Sequence, residues 1–578
     1  MSSTVPSAGF LRRWPAGLRT EAWLRYSESR LIAYLFFAAI YIVPNVVLAR
    51  TKLIWDDEFF TLYFSKITSW SELWRALGTG ADQHPPSFYY LTHLIFELVG
   101  ASHLTLRLTG LFGFAMACLC LYEIVRRLLG PLWAVPALIA PMASQILYYA
   151  TEARGYGLEL GFVSFSLLMW ILAQHEKRKP WVVPALGCGL CLAVACHYYA
   201  ILFVIPLAAG ELVKAARRRT ALLRSIDVAV WLSFLAALIP LLFFSPIILK
   251  ARNYSAHFWA VPFWGSMLEW YPDTLARLPL VLLAVAGLTI ALRLPKIENV
   301  KDSGLGLSPP VAMATCACAL LPAVGGVIAK LFTHAFTARY FIATIPGVVI
   351  ILLWGARRII RNDAAGPALV SAVCLILSVQ EWRDLRARQL SSLRELRSVA
   401  TLLRGSGHAP VALSEISLLH QLSFYARRDL VGRLAYLADP HLSVQYIGHD
   451  TIDRGLLDLV PWFPLNIVWW HDWWQAHSYS LVYGYVGEWT WSTFAVDQVG
   501  TVQLLERDVD RLLLSVTRTK VPADDRTPTD PAGKPLLYDQ LPQNGQTLCS
   551  MYMRGDDCPV VDDPKFGTRI ISYPDSLK

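Results

Sequence analysis

Charge is scarce in this sequence. Asp, Glu, Lys and Arg make up 16% of 578 residues, against 55% hydrophobic residues. So little polar surface cannot cover a chain of this length in water, which excludes an ordinary soluble protein and leaves lipid as the solvent. A one-sided basic stripe is also missing. The 52 Lys and Arg exceed the 43 Asp and Glu, but many of them fall in short clusters between apolar runs, a pattern that orients a membrane protein and does not suit nucleic-acid binding. Cysteine in polar sequence is nearly absent. Cys118, Cys120, Cys188, Cys191, Cys196, Cys316, Cys318 and Cys374 lie within or at the ends of apolar runs, where a thiol behaves as a small hydrophobe. Cys188, Cys191 and Cys196 resemble a metal site only superficially. Cys549 and Cys558 sit in polar sequence, and outside the cytoplasm they could close a small disulfide loop or stay as two thiols. No small-residue cleavage site follows a short apolar core in the basic stretch 1–30, which reads as a cytoplasmic extension and not a signal peptide. No internal repeat is visible.

What the chain does have is a series of apolar runs close to the length that crosses a bilayer. They fall at Leu31–Leu48, Leu108–Val125, Leu132–Tyr149, Tyr156–Ala173, Trp181–Cys196, Ala200–Val213, Val228–Leu249, Leu278–Leu292, Val311–Ile328, Phe341–Trp354 and Ala368–Val379, which predicts about eleven spans. Lys and Arg test their orientation. Residues 1–30, Arg126 with Arg127, His175 to Lys179, Lys214 to Arg224, Arg293 to Lys301 and Arg357 to Arg361 fall on one side. The other side receives Arg50 to Arg107, the turn around Glu152, the turn at His197, Lys250 to Arg277, Ala329 to Tyr340 and everything after Gln380. That second side is therefore the outer face.

The expected organisation is a transmembrane domain over 31–380 with a long outer loop at 50–107, an outer mixed α/β domain over 381–516 and an extended tail over 517–578. In the loop, Phe59 to Leu77 and Ser87 to Val99 carry apolar residues at helical spacing, as interfacial helices do. The outer domain opens on a charged helical stretch, Trp382 to Leu403, followed by β-rich segments such as Pro410 to Leu413. Between Trp462 and Trp491 tryptophan is dense, with Trp469, Trp470, Trp473, Trp474 and Trp489. Core or interfacial packing accounts for such a cluster more simply than sugar stacking does.

The chemistry concentrates at the outer boundary, where charges beside spans must be solvated or paired. Trp55-Asp56-Asp57-Glu58 opens the first outer loop. Adjacent carboxylates repel, raise at least one pKa and can act as a general base or a cation site, although a solvated acidic turn has the same composition. Asp82-Gln83-His84-Pro85-Pro86 lies in the same loop, its prolines permitting a helix start and holding Asp82 and His84 at that helix's N-terminus. Arg154 and Arg339 stand at outer span ends, at the depth of a lipid phosphate that a guanidinium binds bidentately. Arg154 could instead pair with Glu152, and Arg339 could merely snorkel. Lys250 and Arg252 open a large outer loop as further cations, although simple solvation accounts for them more readily. His197 and Tyr198 either line a sugar site or belong to an aromatic belt. The stretch Tyr254 to Tyr271 suits a lid or a plain interfacial helix.

Taken in order, Trp55 to Glu58, His84-Pro85-Pro86 with Tyr89 and Tyr90, Arg107-Leu108, Glu152-Ala153-Arg154-Gly155-Tyr156, His197-Tyr198-Tyr199, and Arg339-Tyr340 with Pro346 resemble the C-type glycosyltransferases. The branch is that of the protein O-mannosyltransferases and lipid A aminoarabinose transferases, and the resemblance covers roughly Leu31 to Trp354. It implies an inverting transferase in a bacterial inner membrane, with its C-terminal domain periplasmic or extracellular and a polyprenyl-phosphate-linked sugar as donor. The family's acidic pair falls on Asp57, the implied base, and Glu58, its support. Asp56 is an extra acid. On this reading Arg154, Arg339, Lys250 and Arg252 serve the donor phosphate, and Asp56, Asp82, His84, Glu152, His197 and Tyr198 serve substrate. No nucleic acid and no cofactor is called for. A divalent cation could sit beside three carboxylates, but no His/Cys set accompanies them. The rival is a transporter or flippase for lipid-linked saccharides, which would place ionisable residues at the bilayer midplane and show a repeat.

Overall fold

The computed structural model describes residues 29–175, 177–217, 227–254, 258–260, 262, 264–275, 277–291, 307–333, 335–363, 365–485, 490–508, 511–524, 561–563 and 567–569. Among these, six helices are long and apolar enough to cross a membrane: Arg30–Thr51, Leu108–Leu129, Tyr156–Ala173, Tyr198–Arg217, Ala338–Ile360 and Ala365–Gly405. Four helix pairs pass the same test jointly but bend by more than 40° at a short break: Pro131–Ala143 with Gln145–Thr151, Val228–Phe243 with Ser245–Ala251, Met267–Leu275 with Leu278–Ala291, and Pro309–Ala319 with Leu321–Phe332. Val182–Cys196 is a shorter apolar helix. Every run expected to span is thus a helix or a bent pair, in a multi-pass membrane protein of six to ten spans by length and composition. Three of the four bends have a local cause. Pro246, Pro279 and Pro322 each stand at the second helical position after a break, where proline fits the new helix but cannot continue the old one.

Leu108–Leu129 and Tyr156–Ala173 cross closely. A Cβ on Gly113 would lie 2.3 Å from Leu158 Cα, so the approach requires glycine. Arg107 and Arg154 stand just before these two helices, and the crossing keeps both guanidiniums at one end of the bundle. At the opposite helix ends Arg127 pairs with Glu123, Arg178 with Asp227 and Arg357 with Asp363.

The long loop after the first span folds into helices Asp56–Ser65, Trp70–Leu77, Pro86–Val99 and His103–Leu106. Their apolar faces share a core with Leu459 and Phe463 of the C-terminal part. That part is joined to the bundle by Ala365–Gly405, one helix of 41 residues, so the boundary expected at Glu381 falls inside a continuous helix. Beyond it, β1 (Val411–Leu413), β2 (Leu434–Ala438), β3 (Ile467–Trp469), β4 (Tyr479–Tyr485), β5 (Gly500–Asp508) and β6 (Arg511–Arg518) form a six-stranded sheet in the order β3-β2-β1-β4-β6-β5. The first four neighbours pair parallel, while β6 runs antiparallel to β4 and β5. This is the mixed α/β domain expected from composition. Trp470, Trp473, Trp474 and Trp491 are buried in its core, which gives most of the tryptophan cluster to packing; Trp489 lies outside the described residues. In the tail, Val561–Asp563 pairs antiparallel with Gly567–Arg569. Residues 1–28, Cys549 and Cys558 lie outside the described residues.

Candidate active site

Asp57 and Glu58 are chain neighbours with different environments. Glu58 lies at 0% exposure opposite Arg107, also at 0%. Arg107 Nε donates to Glu58 Oε1 at 2.8 Å and Nη2 to Oε2 at 2.6 Å. The remaining guanidinium hydrogens go to the carbonyls of Ala49, Lys52 and Leu53 at 2.7–2.9 Å, which uses the full donor set of an arginine. Glu58 also accepts from the Ala153 and Trp55 N–H groups. Burial alone would raise its carboxyl, but Arg107 and Lys52 more than offset that and hold it at about 2. A carboxylate so saturated fastens the first span to the long loop that follows it and is not placed to take a proton.

Asp57 faces a cavity of about 390 Å³, whose wall also includes Trp55, Asp56, Asp82, His84, Arg154 and Arg339. Its Oδ2 meets Arg339 Nη1 at 2.5 Å, with the two side chains 22% and 20% exposed. Burial opposes ionisation, but Arg339 and then Arg154 outweigh it and keep the carboxyl below the usual carboxylate range. Arg154 donates to Asp82 Oδ2 at 3.2 Å, to Tyr89 Oη at 3.0 Å, to the Asp57 carbonyl at 3.3 Å and to His84 Nδ1 at 2.9 Å. It does not pair with Glu152. Because a guanidinium is always a donor, His84 Nδ1 must accept, and its proton is assigned to Nε2. Burial, followed by the Arg154 charge, lowers the His84 pKa and keeps the ring neutral.

Four donors on the cavity wall have no acceptor: Trp55 Nε1, Arg154 Nε, Arg339 Nε and His84 Nε2 are all buried without a hydrogen-bond partner. Unsatisfied buried donors cost about 1–3 kcal/mol each. Their convergence on one cavity, on cationic or polar side chains, is the composition of an anion site.

The other expected residues divide. Asp56 lines the cavity and stands 3.1 Å from Nδ1 of the fully buried His420 in the C-terminal domain. His197 sits behind His84, with ring centroids 5.3 Å apart, and its Nδ1 lies 3.5 Å from Glu159 Oε2. Glu152 is buried with both carboxyl oxygens unpartnered and does not line the cavity. Burial raises its pKa, against the pull of Lys52 and Arg339. Tyr198 packs its ring toward Phe244, away from the lining. Lys250 and Arg252 do not line the cavity either; both are exposed, and the Lys250 backbone lies against Gly80. Of the stretch expected as lid or interfacial helix, Phe258 and Trp259 reach the cavity wall, whereas Trp270 and Tyr271 donate into the bundle, to the carbonyls of Ala338 and Ala319.

Sequence reasoning missed the opposite wall, made by Ile416, Thr451, Ile452, Gly455 and Leu456; nothing in their residue types marks them. Arg107 carries no role in the motif pattern, although a lone arginine opening a long apolar helix is itself a signal of buried pairing. A larger depression between Pro180 and Ala236 holds Arg178 as its one charged lining residue, and Arg178 is paired with Asp227. Among the described residues no group of three or more His, Cys, Asp or Glu side chains is arranged to hold a metal ion.

ArnT from Cupriavidus metallidurans, solved bound to undecaprenyl phosphate, superposes with a TM-score of 0.50 at 13% identity, over 83% of this chain and 97% of that one. The chain shares the fold of that ArnT structure. The same protein in its apo state gives 0.49 at 13% identity, over 86% and 98% of the two chains. The Archaeoglobus fulgidus oligosaccharyltransferase, in complex with Zn and sulfate, gives 0.41 at 11% identity, over 86% and 74%. Residues 83–249 match the profile of the family described as dolichyl-phosphate-mannose-protein mannosyltransferase. The resemblance read from the motifs therefore stands, supported by the family match over residues 83–249 and the fold shared with ArnT. No curated protein matches the sequence.

Proposed function

We propose that the protein is an inverting glycosyltransferase that moves a sugar from a polyprenyl-phosphate donor to a cell-envelope acceptor at the outer membrane face. The observation that carries this reading is the set of unpartnered donors on Arg154, Arg339 and His84 beside the Asp57 carboxylate. The undecaprenyl phosphate bound to ArnT, which shares the fold, supports the lipid class of the donor.

The chemistry follows from the geometry. The donor phosphate takes the donors of Arg154, Arg339 and His84, which stabilise the charge that grows on it as the glycosidic bond breaks. Arg339 is paired with Asp57 and makes it a weak base. A phosphate that shares Arg339 relaxes that pair, so donor binding raises the basicity of Asp57 when a base is needed. The acceptor oxygen then bonds to the anomeric carbon from the face opposite the phosphate. Its proton passes to Asp57, and the electron pair of the broken bond leaves with the phosphate oxygen. Glu58 holds the Asp57 backbone in place through Arg107 and takes no proton.

Asp57→Asn tests this directly. It should lower transfer by about 10²–10⁴-fold while the purified protein still binds undecaprenyl phosphate. Wild-type transfer in that variant would refute the assignment.

A further inference from the structure

The cavity has two unlike halves. Its charged lining residues, Asp56, Asp57, Asp82, Arg154 and Arg339, all come from the membrane domain, while the facing wall belongs to the C-terminal domain and carries no charge. This is not for lack of charged residues nearby. The helix Thr451–Leu459 contains Asp453, Arg454 and Asp458. Asp453 turns into its own domain, accepting from Tyr436 Oη at 2.5 Å, the Asp439 N–H at 2.8 Å and Trp491 Nε1 at 2.7 Å. Arg454 lies over the Tyr254 ring at 4.3 Å, and Asp458 accepts the Tyr254 hydroxyl. Helical periodicity leaves Thr451, Ile452, Gly455 and Leu456 as the stripe facing the cavity.

Gly455 needs a reason to be glycine. Its backbone is helical and right-handed, and a Cβ there would meet Ala81 Cβ at 3.5 Å, an ordinary contact. Neither conformation nor packing demands it, and glycine weakens a helix interior. What the missing side chain does is keep cavity volume open against Ala81.

We propose that Ile416 and the Thr451–Leu456 stripe form the acceptor wall, that it receives a neutral sugar residue, and that Gly455 sets the size limit. This rests on the transferase reading above. The phosphate groups occupy the charged half, and in-line displacement brings the acceptor from the other side. A charged acceptor would lose solvent against Ile416, Ile452 and Leu456 with nothing to pair it. A pyranose instead offers an apolar C–H face to these side chains and to Phe258 and Trp259, which border the same cavity.

Two full-length variants, Gly455→Phe and Ile452→Glu, test the wall. Envelope glycans from cells carrying each are compared by mass spectrometry, and binding of undecaprenyl phosphate to each protein in nanodiscs is read by thermal shift. The expected result is at least a tenfold loss of transferred product with lipid affinity within twofold of wild type. Undiminished product in both variants overturns the wall. Joint loss of product and lipid binding in both overturns it too, because the wall would then serve the donor. Sugar added to an anionic or lipid acceptor overturns the neutral-sugar assignment. Asp57→Asn is run alongside: full product there is a failure of the transferase reading itself, whereas lost product there with intact product in the wall variants is a failure of this inference alone.

Discussion

Asp57 and Glu58 share a helix turn, a charge and a nearby arginine, yet one pair is sealed and the other stands open. The Glu58–Arg107 pair lies at 0% exposure on both sides with every guanidinium hydrogen committed. The Asp57–Arg339 pair is about a fifth exposed, and Arg339 Nε has no acceptor. A buried pair with saturated partners is a fastener, since breaking it strands a charge. A pair with spare donors on a cavity can be exchanged for a ligand. Residue type distinguishes neither role; the remaining hydrogen-bond capacity of the arginine does.

The contrast can be broken most severely at Arg107. Arg107→Ala leaves Glu58 buried without its partner and should cost about 3–5 kcal/mol of stability, seen as a collapse in the melting temperature of the detergent-purified protein. A variant that melts like wild type would end the fastener role. Arg339→Gln should do the reverse, leaving the melting temperature nearly unchanged and weakening undecaprenyl phosphate binding by about 1.5–3 kcal/mol, the worth of a hydrogen bond to a charged group; isothermal titration would read it. The smallest effect belongs to Glu152. Because burial raises its folded pKa above the unfolded value, the folded state holds the extra proton between those values and loses stability as pH rises through that window. Glu152→Gln should therefore stabilise the protein by on the order of 1 kcal/mol at pH 8 and very little at pH 5, and equal melting shifts at both pH values would show the carboxyl to be ionised throughout.

Much of the fold could be read from the chain because lipid imposes a strong signal: apolar runs announce spans, and three of the four bends occur where proline begins a new helix. The acidic string and the arginines at span ends were legible for the same reason, since charge beside a span needs an explanation. What could not be read was the division of labour. Glu58 meets Arg107 across 49 positions and Asp57 meets Arg339 across 282, separations that no local pattern encodes. Lys250 and Arg252 have the right charge near the right boundary, and the turn simply leaves them in solvent. The acceptor-facing wall was invisible, because Ile416, Thr451 and Gly455 look like any residues of an α/β domain until the fold brings them over Asp57.

The helix Ala365–Gly405 has a mechanical consequence. Its first half packs in the bundle and its second half, through Leu396, Val399 and Leu403, forms part of the core beneath β1 and β2. At 41 residues it is a rod of about 60 Å, so a tilt of about 5° about its membrane end swings the far end by roughly 5 Å. A mismatch between bilayer thickness and a helix's apolar length is accommodated partly by tilt, so a change of thickness would bear on the aperture over Asp57. We expect turnover in nanodiscs to change with acyl-chain length, and turnover indifferent to thickness would show that the rod does not lean.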